Sequence, residues 1–150
     1  MKVEGSYTIK ADRKKVWDAL LSPDVLSSCI PGCESFEPAG DETYDVVMKV
    51  GVAAVSGTYT GKITIADKHE PDSYTMHVQG KGAAGTIGGE GVLTFTDIDG
   101  ETRVDLTGDA RITGIIARVG QRFMGSASKM LMNQFFDCLK SKVEATKTDQ

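Results

Sequence analysis

Apolar side chains recur every three or four residues through the last third of the chain. They are Ile116, Val119, Phe123, Ala127, Met130, Leu131, Phe135, Cys138, Leu139 and Val143. That spacing predicts one long amphipathic helix over 114–143, on the order of 40 Å at about 1.5 Å per residue. A stripe rich in Phe and Met needs a broad apolar surface beneath it.

Upstream the period changes to two. Val3, Gly5, Tyr7 and Ile9 alternate with Lys2, Glu4, Ser6, Thr8 and Lys10. The same alternation runs through 44–50, 59–65, 74–80 and 102–112, and residues 91–98 are strand-like. One-sided strands predict an antiparallel sheet with one wet face. Between the first strand and the others, Asp12 is placed to cap a short helix carrying Val16, Trp17, Leu20 and Leu21. Pro23 suits the first turn of a second helix, which Pro31-Gly32 stops. The expected unit is a single α+β domain over 1–145 with a polar, frayed tail over 146–150.

In an antiparallel meander the turn tips alternate between the two ends of the sheet. Tips at 39–42, 67–73 and 97–101 are charged. Tips at 52–57, 82–89 and 113–119 are small, apolar and glycine-rich, with Arg118 as their charge. Apolar tips mark a ligand mouth, a membrane contact or a protein interface, or else fold over the core and bury themselves. The candidate membrane or partner contacts are Val52, Val55, Ile87, Ile115, Ile116, Arg118 and Arg122, with Lys129 adding charge for anionic headgroups.

A net charge of −4 over 150 residues argues against a general nucleic-acid binder. No apolar run is long enough to span a bilayer, and the first residues lack the apolar core of a signal peptide, so a cytoplasmic protein is expected. Three cysteines fit reduced thiols better than a disulfide scaffold. Cys29 and Cys33 can approach each other across Pro31-Gly32, as a redox pair or as two small half-buried thiols, and Cys138 is most simply core.

Little else points to catalysis or a metal. Residues 80–85 match GxGxxG, but a strand follows where a nucleotide fold needs a helix. His69 and His77 have no nucleophile partner at a recognisable spacing, and Asp97, Asp99 and Glu101 fail the EF-hand pattern. The expectation is no catalytic residue, no metal and no covalently bound cofactor. Inward Tyr and Met side chains are either plain core or, with glycines at 61, 80 and 108, the lining of a cavity. An apolar pocket with phenol hydroxyls suits a lipophilic ring bearing carbonyls, such as a quinone.

Strand, two short helices, six strands and a long helix is the order of the helix-grip fold. Specific residues extend the likeness. Lys15 to Pro23, Cys29-Ile30-Pro31-Gly32-Cys33-Glu34, Lys49-Val50-Gly51, Thr58-Tyr59-Thr60-Gly61, Gly114, Gly120-Gln121-Arg122 and Phe135 to Leu139 resemble the carbon monoxide dehydrogenase G-subunit family. That family is similar to the Bet v 1, START and polyketide-cyclase group of the SRPBCC superfamily. The resemblance implies a curved antiparallel sheet of about seven strands with a long C-terminal helix over an apolar cavity.

It also implies a non-catalytic accessory protein of a molybdenum hydroxylase of the carbon monoxide dehydrogenase type. Such a protein would bind a lipophilic ligand such as a quinone and mediate membrane recruitment or delivery of the electron acceptor. Some relatives carry a C-terminal membrane anchor, whereas this sequence stops at Lys147-Thr148-Asp149-Gln150. Membrane contact is therefore expected to be peripheral, at the inner face of the cell membrane. The candidate ligand-binding residues are Tyr44, Val46, Met48, Tyr59, Ile63, Met76, Val78 and Leu106 on the sheet. Ile116, Phe123, Ala127, Met130 and Leu131 face them from the helix. The alternatives are an assembly module with a filled core and a small cyclase- or hydrolase-like enzyme using the cavity.

Overall fold

Each alternating stretch becomes a strand. The computed structural model describes residues 1–51 and 55–148. In chain order the elements are β1 (Lys2–Ile9), α1 (Arg13–Leu20), α2 (Pro23–Cys29), β2 (Cys33–Gly40), β3 (Thr43–Val50), β4 (Gly57–His69), β5 (Ser73–Gly82), β6 (Gly85–Ile98) and β7 (Glu101–Gly114). A 3₁₀ turn (Ile115–Val119) and α3 (Gln121–Thr148) complete the order. The strands form one seven-stranded antiparallel sheet in the order β1-β7-β6-β5-β4-β3-β2. This is the helix-grip arrangement.

The caps lie where the side chains dictate. Asp12 accepts a 2.9 Å hydrogen bond from the Lys15 amide, and Ser22 caps α2, with Pro23 in its first turn. At the Asp99-Gly100 hairpin both residues have positive φ, and the Asp97 carboxylate accepts from the Gly100 amide at 3.1 Å. The charged tips lie together at one end of the sheet and the apolar tips at the other, as the alternation requires.

Two apolar clusters hold the molecule together. The larger lies towards the charged-tip end. There Trp17 of α1 meets Tyr74 and Phe95 edge-on at 5.5 and 5.3 Å, and Phe136, Leu139 and Val143 of α3 cover the sheet. The buried Thr102 hydroxyl donates to the Ala11 carbonyl at 2.7 Å, which satisfies both groups without water. The smaller cluster, Val55, Tyr59, Ile116 and Met124, lies at the apolar-tip end.

The structure corrects four expectations. The helix over 114–143 is not continuous. β7 runs to Gly114, the 3₁₀ turn follows, and Gly120 breaks the path at φ 92°, which side chains with a Cβ rarely adopt. The break shifts the buried stripe, so Met124 and Phe136 are buried and Met130 is 41 % exposed. The other end of α3 reaches Thr148, beyond the boundary expected at 145. Finally, Cys29 is bonded to Cys138 in a disulfide that ties α2 to α3, leaving Cys33 as the free thiol. The sequence pattern points to reduced thiols and to proximity of Cys29 and Cys33. Chain spacing says nothing of a partner 109 residues away.

Candidate functional site

A cavity of about 200 Å³ lies between the two clusters, with α3 above and β3 to β6 below. Val46, Met48, Ile63, Val78 and Ile87 line its sheet side; Met124, Ala127, Ser128 and Leu131 line its helix side. Two features leave this volume open. On the sheet, Gly61 and Gly80 are cross-strand partners in the floor. A Cβ on Gly61 would collide with the Gln79 carbonyl, so the close approach of β4 and β5 itself requires glycine. On the helix, Ala127 and Ser128 present small side chains between the larger Met124 and Leu131, while Gly125 and Ser126 face solvent.

A smaller cavity of about 150 Å³ continues along the inner sheet face, lined by Val3, Met76, Leu106 and Gly108. It shares Val78 and Ile87 with the first. Both are predominantly apolar. The Tyr59 hydroxyl donates to the Val55 carbonyl at 2.7 Å, and burial pushes its pKa up, so it stays a neutral phenol. That donor is already engaged and has acceptor capacity left for a ligand. The Ser128 hydroxyl is a polar group that the alternating strand pattern had no means of revealing. Among the described residues no group of three or more His, Cys, Asp or Glu side chains is placed to hold a metal ion.

A wider depression of about 790 Å³ involves Asp45, Thr60, Lys62, Lys81, Arg111 and Thr113. These residues alternate with the inward set and carry a solvated network in which Lys62 meets Asp45 at 2.7 Å. Its larger volume reflects the open outer face of the sheet, bordered by solvated charged side chains, rather than an enclosed chamber.

The predicted ligand-binding residues divide into two groups. Val46, Met48, Tyr59, Ile63, Val78, Ala127 and Leu131 line the main cavity, and Met76 and Leu106 line the smaller one. The others do not line either. Tyr44 stacks on Phe36 at 4.9 Å, Ile116 is fully buried in the smaller cluster, Phe123 packs against that cluster, and Met130 is turned outward by the helix phase. Sequence reasoning missed Val50, Val55, Ile87, Met124 and Ser128 as lining residues. Val50 continues the inward alternation of 44–50, and Ser128 follows Ala127 on α3, whereas Val55, Ile87 and Met124 carried no such signal.

The predicted surface contacts divide as well. Ile115 is 59 % exposed, and Arg118 and Arg122 are exposed. Val55 and Ile116 are buried and Ile87 faces the cavities, so none of these three is a surface contact. The apolar tips contribute their inner side chains to the smaller cluster because Tyr59 and Met124 offer them a surface. Val52 lies outside the described residues. No helix among the described residues is long and apolar enough to cross a membrane.

A family model for the carbon monoxide dehydrogenase G subunit (CoxG) matches residues 5–144. No curated protein matches the sequence. Among solved structures, a conserved protein from Geobacillus kaustophilus is 34 % identical, with 97 % of each chain covered and a TM-score of 0.95. A START superfamily protein from Mycobacterium smegmatis has a TM-score of 0.76 at 10 % identity, covering 97 % of this chain and 98 % of that one. Zhui aromatase/cyclase from Streptomyces sp. R1128 has a TM-score of 0.71 at 16 % identity, covering 96 % of this chain and 93 % of that one. The last two likenesses are of fold alone.

Proposed function

Because the chain belongs to the carbon monoxide dehydrogenase G-subunit family, we propose that it is a non-catalytic accessory protein of a molybdenum hydroxylase that carries a lipophilic ligand, a quinone being the best chemical fit. One observation carries this reading: the apolar cavity between the two clusters, beneath Ala127 and Ser128 of α3. At about 200 Å³ it is smaller than the roughly 300–1,000 Å³ of pockets that enclose drug-sized ligands. It suits a ring system, and a long prenyl tail would remain outside. The Ser128 hydroxyl is the donor available to a ring carbonyl in otherwise apolar walls, while the Tyr59 phenol, its proton given to the Val55 carbonyl, can accept from a ligand hydroxyl such as that of a reduced quinone. The exposed Ile115 beside Arg118 supports a peripheral contact with an anionic membrane or with the hydroxylase at the same end.

The test is extraction of the natively purified protein with organic solvent, followed by mass spectrometry and by titration of the emptied protein with duroquinone. A copurified quinone, or saturable duroquinone binding lost in a cavity-filled variant, supports the carrier. A protein that is empty, binds no duroquinone and still captures a molybdenum hydroxylase is an assembly module instead.

A further inference from the structure

A slot of about 250 Å³ lies between the Pro31-Gly32 turn, the end of β3 and the flank of α3. Val50 and Leu131 line both this slot and the main cavity, so these two side chains stand between them. Met130, rotated out of the helix stripe and 41 % exposed, lies on the slot's outer rim.

The Cys29–Cys138 disulfide joins the two walls of this slot. Cys29 ends α2, and Pro31-Gly32 follow after Ile30. Cys138 lies seven residues beyond Leu131, two turns along the same face of α3. The Cα atoms are 5.3 Å apart, and Cys138 Sγ lies 3.7 Å from the Ser28 carbonyl, so α2 and α3 are already in contact at this point. Gly32 is fixed as well: its φ is 70°, its carbonyl accepts from the Lys49 amide at 2.8 Å, and a Cβ on it would collide with the Lys49 carbonyl. The turn, β3 and α3 are therefore held in one spacing while the disulfide is intact.

We propose that the Cys29–Cys138 disulfide is a redox latch on a lateral entrance to the cavity: oxidised, it holds Leu131 against Val50 and so closes the passage from the slot into the cavity, and reduced, it frees that passage. The inference rests on the ligand-carrier reading and names how that site is regulated. The oxidant is a small-molecule disulfide of the glutathione class. The Cys138 thiolate attacks one of its sulfurs and expels one thiolate, leaving a mixed disulfide. The Cys29 thiolate then attacks Cys138 Sγ and expels the second. Two cysteine thiols are oxidised, the small disulfide is reduced, and the two protons leave on the released thiols. Reduction runs in reverse, and an external thiolate reaches Cys138 first because Cys29 is 3 % exposed and Cys138 is half-buried. Cys33 is a poor internal competitor. Its thiol is half-buried, donates to the Ser35 carbonyl at 3.4 Å, and is held protonated by desolvation.

The experiment compares the full chain oxidised with glutathione disulfide and the same chain reduced with a phosphine, each desalted before use. The probe is 2-naphthol, a redox-inert two-ring fluorophore, with association and dissociation followed by stopped flow. Hydrogen exchange at 29–33 and 127–134 is measured in parallel without the probe. Reduction is expected to raise both rate constants about tenfold, the low end of the variation seen within one interface. Exchange in both segments should rise with them. Cys138→Ser is expected to behave as the reduced protein under both conditions, and Cys33→Ala to retain the redox response. Failure of glutathione disulfide to form the bond, read as no loss of two hydrogens by mass, overturns the latch. Naphthol rates and exchange that are equal in the two redox states overturn the latch while leaving the carrier reading intact. Naphthol binding in neither state, with exchange still redox-dependent, removes the carrier reading and with it the entrance that the latch is said to close.

Discussion

The rings of Tyr7 on β1 and Phe136 on α3 are stacked, with centroids 4.0 Å apart and planes within 12°. The Tyr7 hydroxyl donates to Asn133 Oδ1 at 2.8 Å, one turn earlier on the same helix. An edge strand of the sheet is thus pinned to the long helix by an apolar and a polar contact from one side chain. Tyr7→Phe keeps the stack and loses the hydrogen bond, at an expected cost of about 1 kcal/mol. Tyr7→Ala removes both and is expected to cost about 3 kcal/mol. Urea denaturation of the two variants separates the contributions, and equal costs would show that the stack contributes little.

Alkaline pH should weaken the fold through its buried phenols. Tyr74 is buried against Trp17 and Phe95, and desolvation raises its pKa well above the ordinary value; Tyr59 is shifted in the same direction. A folded state that holds its protons more tightly than the unfolded chain gains nothing below the unfolded pKa, and it loses stability as pH rises past about 10. Urea midpoints are expected to be flat from neutrality to about pH 8.5, to begin falling there as the Cys33 thiol ionises more readily in the unfolded chain, and to fall more steeply above about pH 10. In Tyr74→Phe the alkaline slope should be shallower. An unchanged slope would place the effect on other groups.

The strands, the cap of α1 and the start of α2 were legible because alternation records directly which face is buried, because Asp12 acts on an amide three residues away, and because Pro23 suits a first helical turn; the Ser22 cap of α2 was not read. The phase of α3 was not. A single glycine with positive φ at 120 separates Ile116 from the helix proper, so a stripe extrapolated through it selects Phe123 and Met130 where Met124 is buried. The cavity was half legible. Its floor followed from inward Val46, Met48, Ile63 and Val78, whereas its roof depends on small residues, which periodicity ranks as neutral. The pairing of Cys29 with Cys138 had no local signal, since it arises only once α2 and α3 pack together.

Filling the roof is the sharpest test of the cavity. Ala127 is 5 % exposed and lies over the open volume, so Ala127→Leu can place its added methyl groups there without displacing backbone. Stability is expected to hold within about 1 kcal/mol of the parent, as for other void-filling changes. Binding of duroquinone, followed by fluorescence of Trp17, should be lost. A variant that is strongly destabilised would mean that this space is already filled by mobile neighbours. A stable variant that still binds duroquinone would place the ligand elsewhere.

The exposed end of the 3₁₀ turn gives a separate prediction, because its two isoleucines have opposite environments. Ile115 is 59 % exposed and Ile116 is fully buried beside Val55, Tyr59 and Met124. A charge at Ile116 would enter the smaller cluster and damage the fold, so its effect on membranes would be uninterpretable. Ile115→Asp leaves that cluster intact and places a carboxylate where Ile115 would meet lipid, close in sequence to Arg118. Flotation with vesicles of phosphatidylglycerol and phosphatidylcholine is expected to recover the parent protein and to lose most of Ile115→Asp. Arg118→Gln should lower recovery at low salt and have less effect at high salt, where headgroup attraction is screened. Retention of Ile115→Asp at the parent level, with an unchanged urea midpoint, would reject this turn as the point of contact.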